Sequence, residues 1–278
     1  MCGASIVGGV WCRRASRVAC SLVTDVLQPL VDLPGVRAAA DRARDALAEV
    51  HRHKTNRRGW PTTAAEAALR AARSSSAIDG GGTELSAVSA SGETVEGQPA
   101  DPILAGALRV GQALDGDALQ NLVGVWQRAP LQALARLHLL AAADLVDDQE
   151  QLGRPRTDAG VAERLDLLAQ TVLTSDASAP VKAAVVHGEL LALRPFGSAD
   201  GIVARAASRL VAVSTGLDPH SLGVPEVFWL RRRQAYLDAA AGFGSGTPEG
   251  VGGWVILCCG ALEDGAREAR SIADAAAG

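Results

Sequence analysis

Apolar residues recur at helical spacing along nearly the whole chain, in alanine-rich runs divided by proline and glycine. Strand-like runs rich in β-branched and aromatic residues are nearly absent. Alanine loses no side-chain entropy in a helix, and aromatic residues make up only 3% of the chain. The pattern predicts an all-α fold. With 48% hydrophobic and 21% charged residues, the chain has the composition of a packed domain rather than a disordered one.

The runs place the elements. A helix is expected over Val36 to Val50, followed by the basic, polar segment His51 to Arg58. Gly59-Trp60-Pro61 reads as a break. Thr63 with Glu66 three residues on reads as a capping box that opens a helix reaching about Ala77. Residues 80–101 are rich in Gly, Ser and Thr and read as a surface loop or short hairpin. Further helices are expected over Pro102 to Leu114, Ala118 to Trp126, Pro130 to Leu145, Val161 to Leu173, Pro180 to Ala192, Ile202 to Ser214, Pro225 to Ala241 and Val251 to Ala277. The segment Asp147 to Asp158 reads as a turn. No repeat and no βαβ alternation is present.

Residues 1–22 read as a poorly structured N-terminal extension, and residues 23–278 as one helical domain. The five cysteines Cys2, Cys12, Cys20, Cys258 and Cys259 fit no zinc spacing, and an odd count leaves one unpaired. They read as free thiols of a reducing, cytoplasmic compartment. No apolar run is long enough to span a bilayer. The apolar stretch Ala4 to Trp11 precedes Arg13, Arg14 and Arg17, the reverse of a secretory signal. A net charge of −4 gives no overall pull toward nucleic acid or anionic lipid. Neither a nucleic acid nor a membrane is therefore expected as a partner. His51, His53, Lys54, Arg57 and Arg58 read as a solvated helix end.

The informative segment runs from His187 to Arg205 and contains Arg194-Pro195-Phe196-Gly197-Ser198-Ala199-Asp200-Gly201-Ile202-Val203-Ala204-Arg205. An apolar helix stops at a Pro-Phe pair, a loop of small residues follows, and a second helix opens with Arg205 in its first turn. Free N–H groups and the dipole at a helix start favour an anion, and an arginine adds a charge-assisted contact. Phe196, Gly197, Ser198, Gly201 and Arg205 are the candidate phosphate contacts.

This segment resembles the signature of the Fic (Fido) family, H-P-F-x-[DE]-G-N-G-R-x-x-R. Pro195, Phe196, Gly201 and Arg205 match it in register. Upstream, Ser75-Ser76-Ala77-Ile78-Asp79-Gly80 resembles the family's inhibitory motif, [ST]-x-x-x-E-[GN]. The resemblance implies an all-α domain with a short flap hairpin, an inhibitory helix at about 62–79, a core at about 102–215 and C-terminal helices at about 225–277. It also implies that Ser75, Asp79 and Gly80 form an inhibitory element whose acid pairs with Arg205. ATP or another nucleotide is the ligand that it suggests. Arg154 and Arg156 fall where the family's flap docks a protein target, although a plain exposed turn reads as well there.

The departures bear on chemistry. The family's proton-accepting histidine is Arg194 here, and arginine stays protonated near neutral pH. The acidic Mg²⁺ ligand is Ser198, a poor partner for a hard cation, so neither magnesium nor another metal is expected. The asparagine position is Asp200, which brings negative charge toward a phosphate or pairs with Arg194 instead. The first signature arginine is Ile202. The sequence therefore points to a degenerate Fic-like protein without AMP transfer, a regulatory or binding protein that keeps part of an anion pocket. The alternative is an active nucleotidyl- or phospho-group transferase with an altered mechanism. A homo-oligomer is compatible with either. His187 and His138 read as structural histidines, Cys258 and Cys259 as buried packing, and at most one or two of Arg231, Arg232 and Arg233 as reaching any pocket.

Overall fold

The structure is a computed structural model that describes residues 25–88, 94–96 and 101–277. Residues 1–22, expected to be a loose extension, lie outside the described residues, as do Cys2, Cys12 and Cys20. Helices come in the order α1 (Gln28–Val31), α2 (Val36–Arg52), α3 (Asn56–Ile78), α4 (Pro102–Ala113), α5 (Gly116–Trp126), α6 (Pro130–Ala142), α7 (Val161–Thr174), α8 (Ala179–Leu193), α9 (Asp200–Ser214), α10 (Pro225–Arg231), α11 (Arg233–Gly244) and α12 (Pro248–Ala275). One antiparallel hairpin, β1 (Ser86–Val88) with β2 (Thr94–Glu96), joins α3 to α4. The helical class is as expected, and the hairpin falls in the Gly/Ser-rich stretch.

Helix starts follow local chemistry. Pro102, Pro130, Pro225 and Pro248 take first helical positions, where a missing N–H costs nothing. The Asp101 carboxylate accepts the Leu104 N–H and the Thr247 hydroxyl accepts the Gly250 N–H, each closing an open donor. Among the described residues no helix is long and apolar enough to cross a membrane.

Two expectations need correction. The helix expected from Thr63 starts at Asn56 and runs through Gly59-Trp60-Pro61. Proline there removes one backbone bond near the helix start, and side chains brace the same turn. The Thr63 hydroxyl donates to Asn56 Oδ1 (2.8 Å), and Asn56 Nδ2 donates to Val50 O at the end of α2 (2.9 Å). Thr63 is thus an interior residue, not a cap. The helix expected over Pro225 to Ala241 divides at Arg232, whose backbone (φ −122°, ψ 39°) leaves the helical region.

α8 is mostly apolar and is buried along most of its length. One side packs Val181, Ala184 and Val185 into a cluster with α2 and α12 around Trp254. The other packs on α9 and places Ala183, Val186 and Leu190 in a second cluster that continues into α4, α5 and α6. Trp254 Nε1 donates to Ala184 O (2.7 Å), so the indole packs without an orphaned donor. Because α8 and α9 are held on both flanks, the loop between them is anchored at both ends.

Candidate functional site

The site is the α8–α9 joint with the end of α3 laid across it. α8 stops because Arg194 turns into the left-handed region (φ 47°). The carbonyls left open there go largely to Arg156 from the 147–160 segment. Its Nε donates to Arg194 O (2.9 Å), its Nη2 to Leu193 O (3.1 Å) and its backbone N–H to Pro195 O (2.7 Å). Nη1 pairs with Asp158 (2.7 Å). Arg156 therefore clamps the loop. Arg154 is exposed, 3.8 Å from Glu150.

Within the loop, Asp200 folds back on the chain. Its Oδ1 accepts the Phe196 N–H (2.9 Å), the Gly197 amide adds to it, and its Oδ2 is buried without a partner among the described residues. Burial raises the Asp200 pKa, while those two amides and the Arg194 and Arg156 charges act against it. The ion pairs of the structure do not join Asp200 to Arg194, the internal pairing that the sequence left open. Two of the amides expected to cradle phosphate are thus turned onto a carboxylate of the loop itself.

Ser198 meets a residue that sequence reasoning left as structural. His138 on α6 lies 3.0 Å through Nε2 from Ser198 Oγ, accepts the Gly153 N–H at Nδ1 (2.9 Å), and stacks on the Phe196 ring at 4.2 Å. The Gly153 donor fixes the tautomer, since a nitrogen that accepts carries no proton. Nε2 then holds the proton and donates to Ser198. Burial pulls the His138 pKa down to about 4, so the ring stays neutral near pH 7. This is the wrong polarity for drawing a proton from Ser198. Sixty residues separate His138 from Ser198, and no local pattern links them.

α9 starts from Ala199, which is also left-handed (φ 51°) at the position of a signature glycine. Asp79 covers its first turn. A Cβ built on Gly201 would lie 2.6 Å from both carboxylate oxygens of Asp79. The acid thus rests on the start of a helix, where the dipole favours negative charge. Its aim is set by the end of α3. Gly80 is left-handed (φ 89°) and donates to Ala77 O (3.2 Å), while Gly81 donates to Ser76 O (2.9 Å). That pair of bonds is a Schellman closure, in which a residue with a Cβ would be strained at position 80.

Arg205 lies in the second turn of α9, not the first, and points inward with 1% exposure. Its Nε donates to Ser75 Oγ (2.8 Å), its Nη2 to Ser75 O (3.0 Å) and to Asp79 Oδ2 (2.8 Å), and its Nη1 to the Tyr236 hydroxyl (3.4 Å). Burial works to lower the Arg205 pKa, but Asp79 and Tyr236 together outweigh it and the net shift is upward. The guanidinium stays charged and is spent on α3 and α11. Ser74, Ser75 and Ser76 are all buried. Behind it, the Tyr236 hydroxyl meets His187 Nε2 (2.8 Å). His187 is fully buried between Trp229 and Trp254, and burial and Arg205 hold it well below the ordinary imidazole pKa.

The remaining candidates divide plainly. Ile202 is buried in the core, and Arg194 is exposed at the joint. Of the three consecutive arginines, Arg233 reaches the site by donating to Ile78 O (2.8 Å). Arg232 lies over the Phe228 ring, and Arg231 faces Asp264 and Glu268. His51 and His53 are engaged by Asp218 (2.9 Å) and Asp274 (3.1 Å) rather than simply solvated. Cys258 and Cys259 are buried. Among the described residues no three His, Cys, Asp or Glu side chains are grouped to hold a metal ion.

Chemically, this arrangement holds the chain's own Asp79 carboxylate against the start of α9 and on Arg205. It offers a permanent cation at residue 194 and a hydroxyl that accepts a bond at residue 198. No family model and no curated protein matches the sequence. Among solved structures, a Fic family protein from Desulfovibrio desulfuricans G20 matches with a TM-score of 0.62 and 20% identity, covering 84% of this chain and 74% of that one. The chain has the Fic fold.

Proposed function

We propose that this chain uses the Fic fold without its transfer chemistry, as a regulatory or binding protein whose residual nucleotide or phosphate pocket is held shut by Asp79. The observation that carries this reading is the Asp79 carboxylate resting on Gly201 and paired with Arg205 at 2.8 Å, beside a loop in which residue 194 is arginine. An incoming phosphate would have to displace a covalently tethered carboxylate from both the helix start and the guanidinium. A target hydroxyl would then find no proton acceptor at position 194. His138 does not replace it, since its proton faces Ser198.

The reading extends to a cytoplasmic protein, to a protein partner that meets the 147–160 segment near Arg154 and Arg156, and to ATP or another nucleotide as the ligand of the opened pocket. Magnesium is not part of it. The test is incubation of wild type and Asp79→Ala with labelled ATP and Mg²⁺ or Mn²⁺. Neither protein is expected to modify itself. Label on Asp79→Ala would overturn the non-catalytic reading and favour a transferase held in check by Asp79.

A further inference from the structure

α3 ends in a row of open carbonyls, as every helix does. Gly81 takes Ser76 O, Gly80 takes Ala77 O, and Arg205 takes Ser75 O. The remaining one, Ile78 O, directly precedes Asp79 and is taken by Arg233 Nε at 2.8 Å. Arg233 is the first residue of α11, where its own helix dipole disfavours a cation. The end of α3 supplies the favourable field. α3 and α11 otherwise hardly touch. One turn further along α11, Tyr236 meets Arg205 (3.4 Å). Residues three apart share a helix face, so one face of α11 touches the Asp79 side of the pair through Arg233 and the Arg205 side through Tyr236.

We infer that α11 is the clasp of the Asp79–Arg205 gate, with Arg233 as the positioning residue that holds the end of α3 down. This rests on the gate reading above. Arg233 touches no reacting group and acts through the backbone beside Asp79.

Hydrogen exchange of the full chain tests this by following the Gly80 and Gly81 amides, whose bonds exist only while the α3 end is closed. Losing a charged hydrogen bond should speed their exchange in Arg233→Ala by about tenfold or more. Peptides from α2 and α12 should be unchanged. Arg233→Lys, which keeps one donor, should recover part of the protection, and it carries the test if the alanine variant does not fold. Gly80 and Gly81 exchange within about twofold of wild type in both variants, or equal loosening throughout the molecule, would overturn the clasp. The readout needs no nucleotide. If exchange is unmoved while an ATP titration still separates wild type from Asp79→Ala, the clasp falls and the gate stands. If Arg233→Ala frees Gly80 and Gly81 while ATP treats wild type and Asp79→Ala alike, the gate falls and the clasp remains as a structural contact.

Discussion

Arg205 and Arg209 lie one turn apart on α9, and both are buried, yet they are held in different ways. Arg209 forms a two-pronged pair with Glu226, 2.8 Å on each side, and donates to Ser221 Oγ (2.9 Å). Both partners of that pair are below 10% exposed, so it is closed within the core. Arg205 meets Asp79 through one oxygen, and the Asp79 side chain is 26% exposed. Two buried cations on one helix therefore serve as a knot and a latch. Burial alone does not show which is which. The exposure of the carboxylate does, because water can replace a partly exposed partner and cannot reach a buried one.

The largest expected effect falls on the knot. Glu226→Gln should cost about 3–5 kcal/mol of unfolding free energy, since it strands a buried charge. Asp79→Asn should cost about 2 kcal/mol or less, because Arg205 keeps both Ser75 contacts and gains access to water. Urea unfolding of the two variants checks the order, and equal losses would erase the distinction between knot and latch.

Acid should come next. His138 is neutral in the fold with a pKa of about 4 against an ordinary 6.5, so its contribution is complete above 6.5 and is lost as the pH falls toward 4. That loss is about 3 kcal/mol across the window. His187, shifted the same way, adds to the slope. His138→Gln should flatten the pH dependence of stability between 6.5 and 4, and an unchanged slope would remove His138 as a tether of the loop.

Two smaller effects sharpen the picture of the latch. Gly201→Ala adds a methyl 2.6 Å from the Asp79 oxygens, while gaining up to about 1 kcal/mol of helix propensity. It should leave overall stability within about 1 kcal/mol of wild type, yet expel Asp79 from the helix start, seen as faster exchange at Gly80 and Gly81. Ala199→Gly relieves a left-handed alanine and should stabilise by about 1 kcal/mol at most, measured as a small rise in Tm.

Much of the fold was legible because proline and capping residues mark most of its helix starts, as at Pro102, Pro130 and Pro225. The exceptions have local causes. Pro61 reads as a break, but side chains from both flanks brace the turn around it. Nothing apolar or glycine-like announces the division at Arg232, where Arg233 is drawn to the end of α3. Within the site, the linear motifs located the Asp79–Arg205 contact, since each partner sits at a fixed place in its own motif. His138, Tyr236 and Arg233 were not legible as site residues. Each reaches the loop from a distant helix, and such contacts leave no spacing to read. The direction of the Phe196 and Gly197 amides was also hidden, because it depends on how Asp200 turns at the start of α9.

The account rests on Asp79 holding the place of an anion. The direct measurement is a calorimetric titration of ATP against wild type and Asp79→Ala. Removal of the carboxylate should tighten binding by about tenfold or more, the scale of one displaced charged contact. Equal affinities, or no binding by either protein, would contradict it.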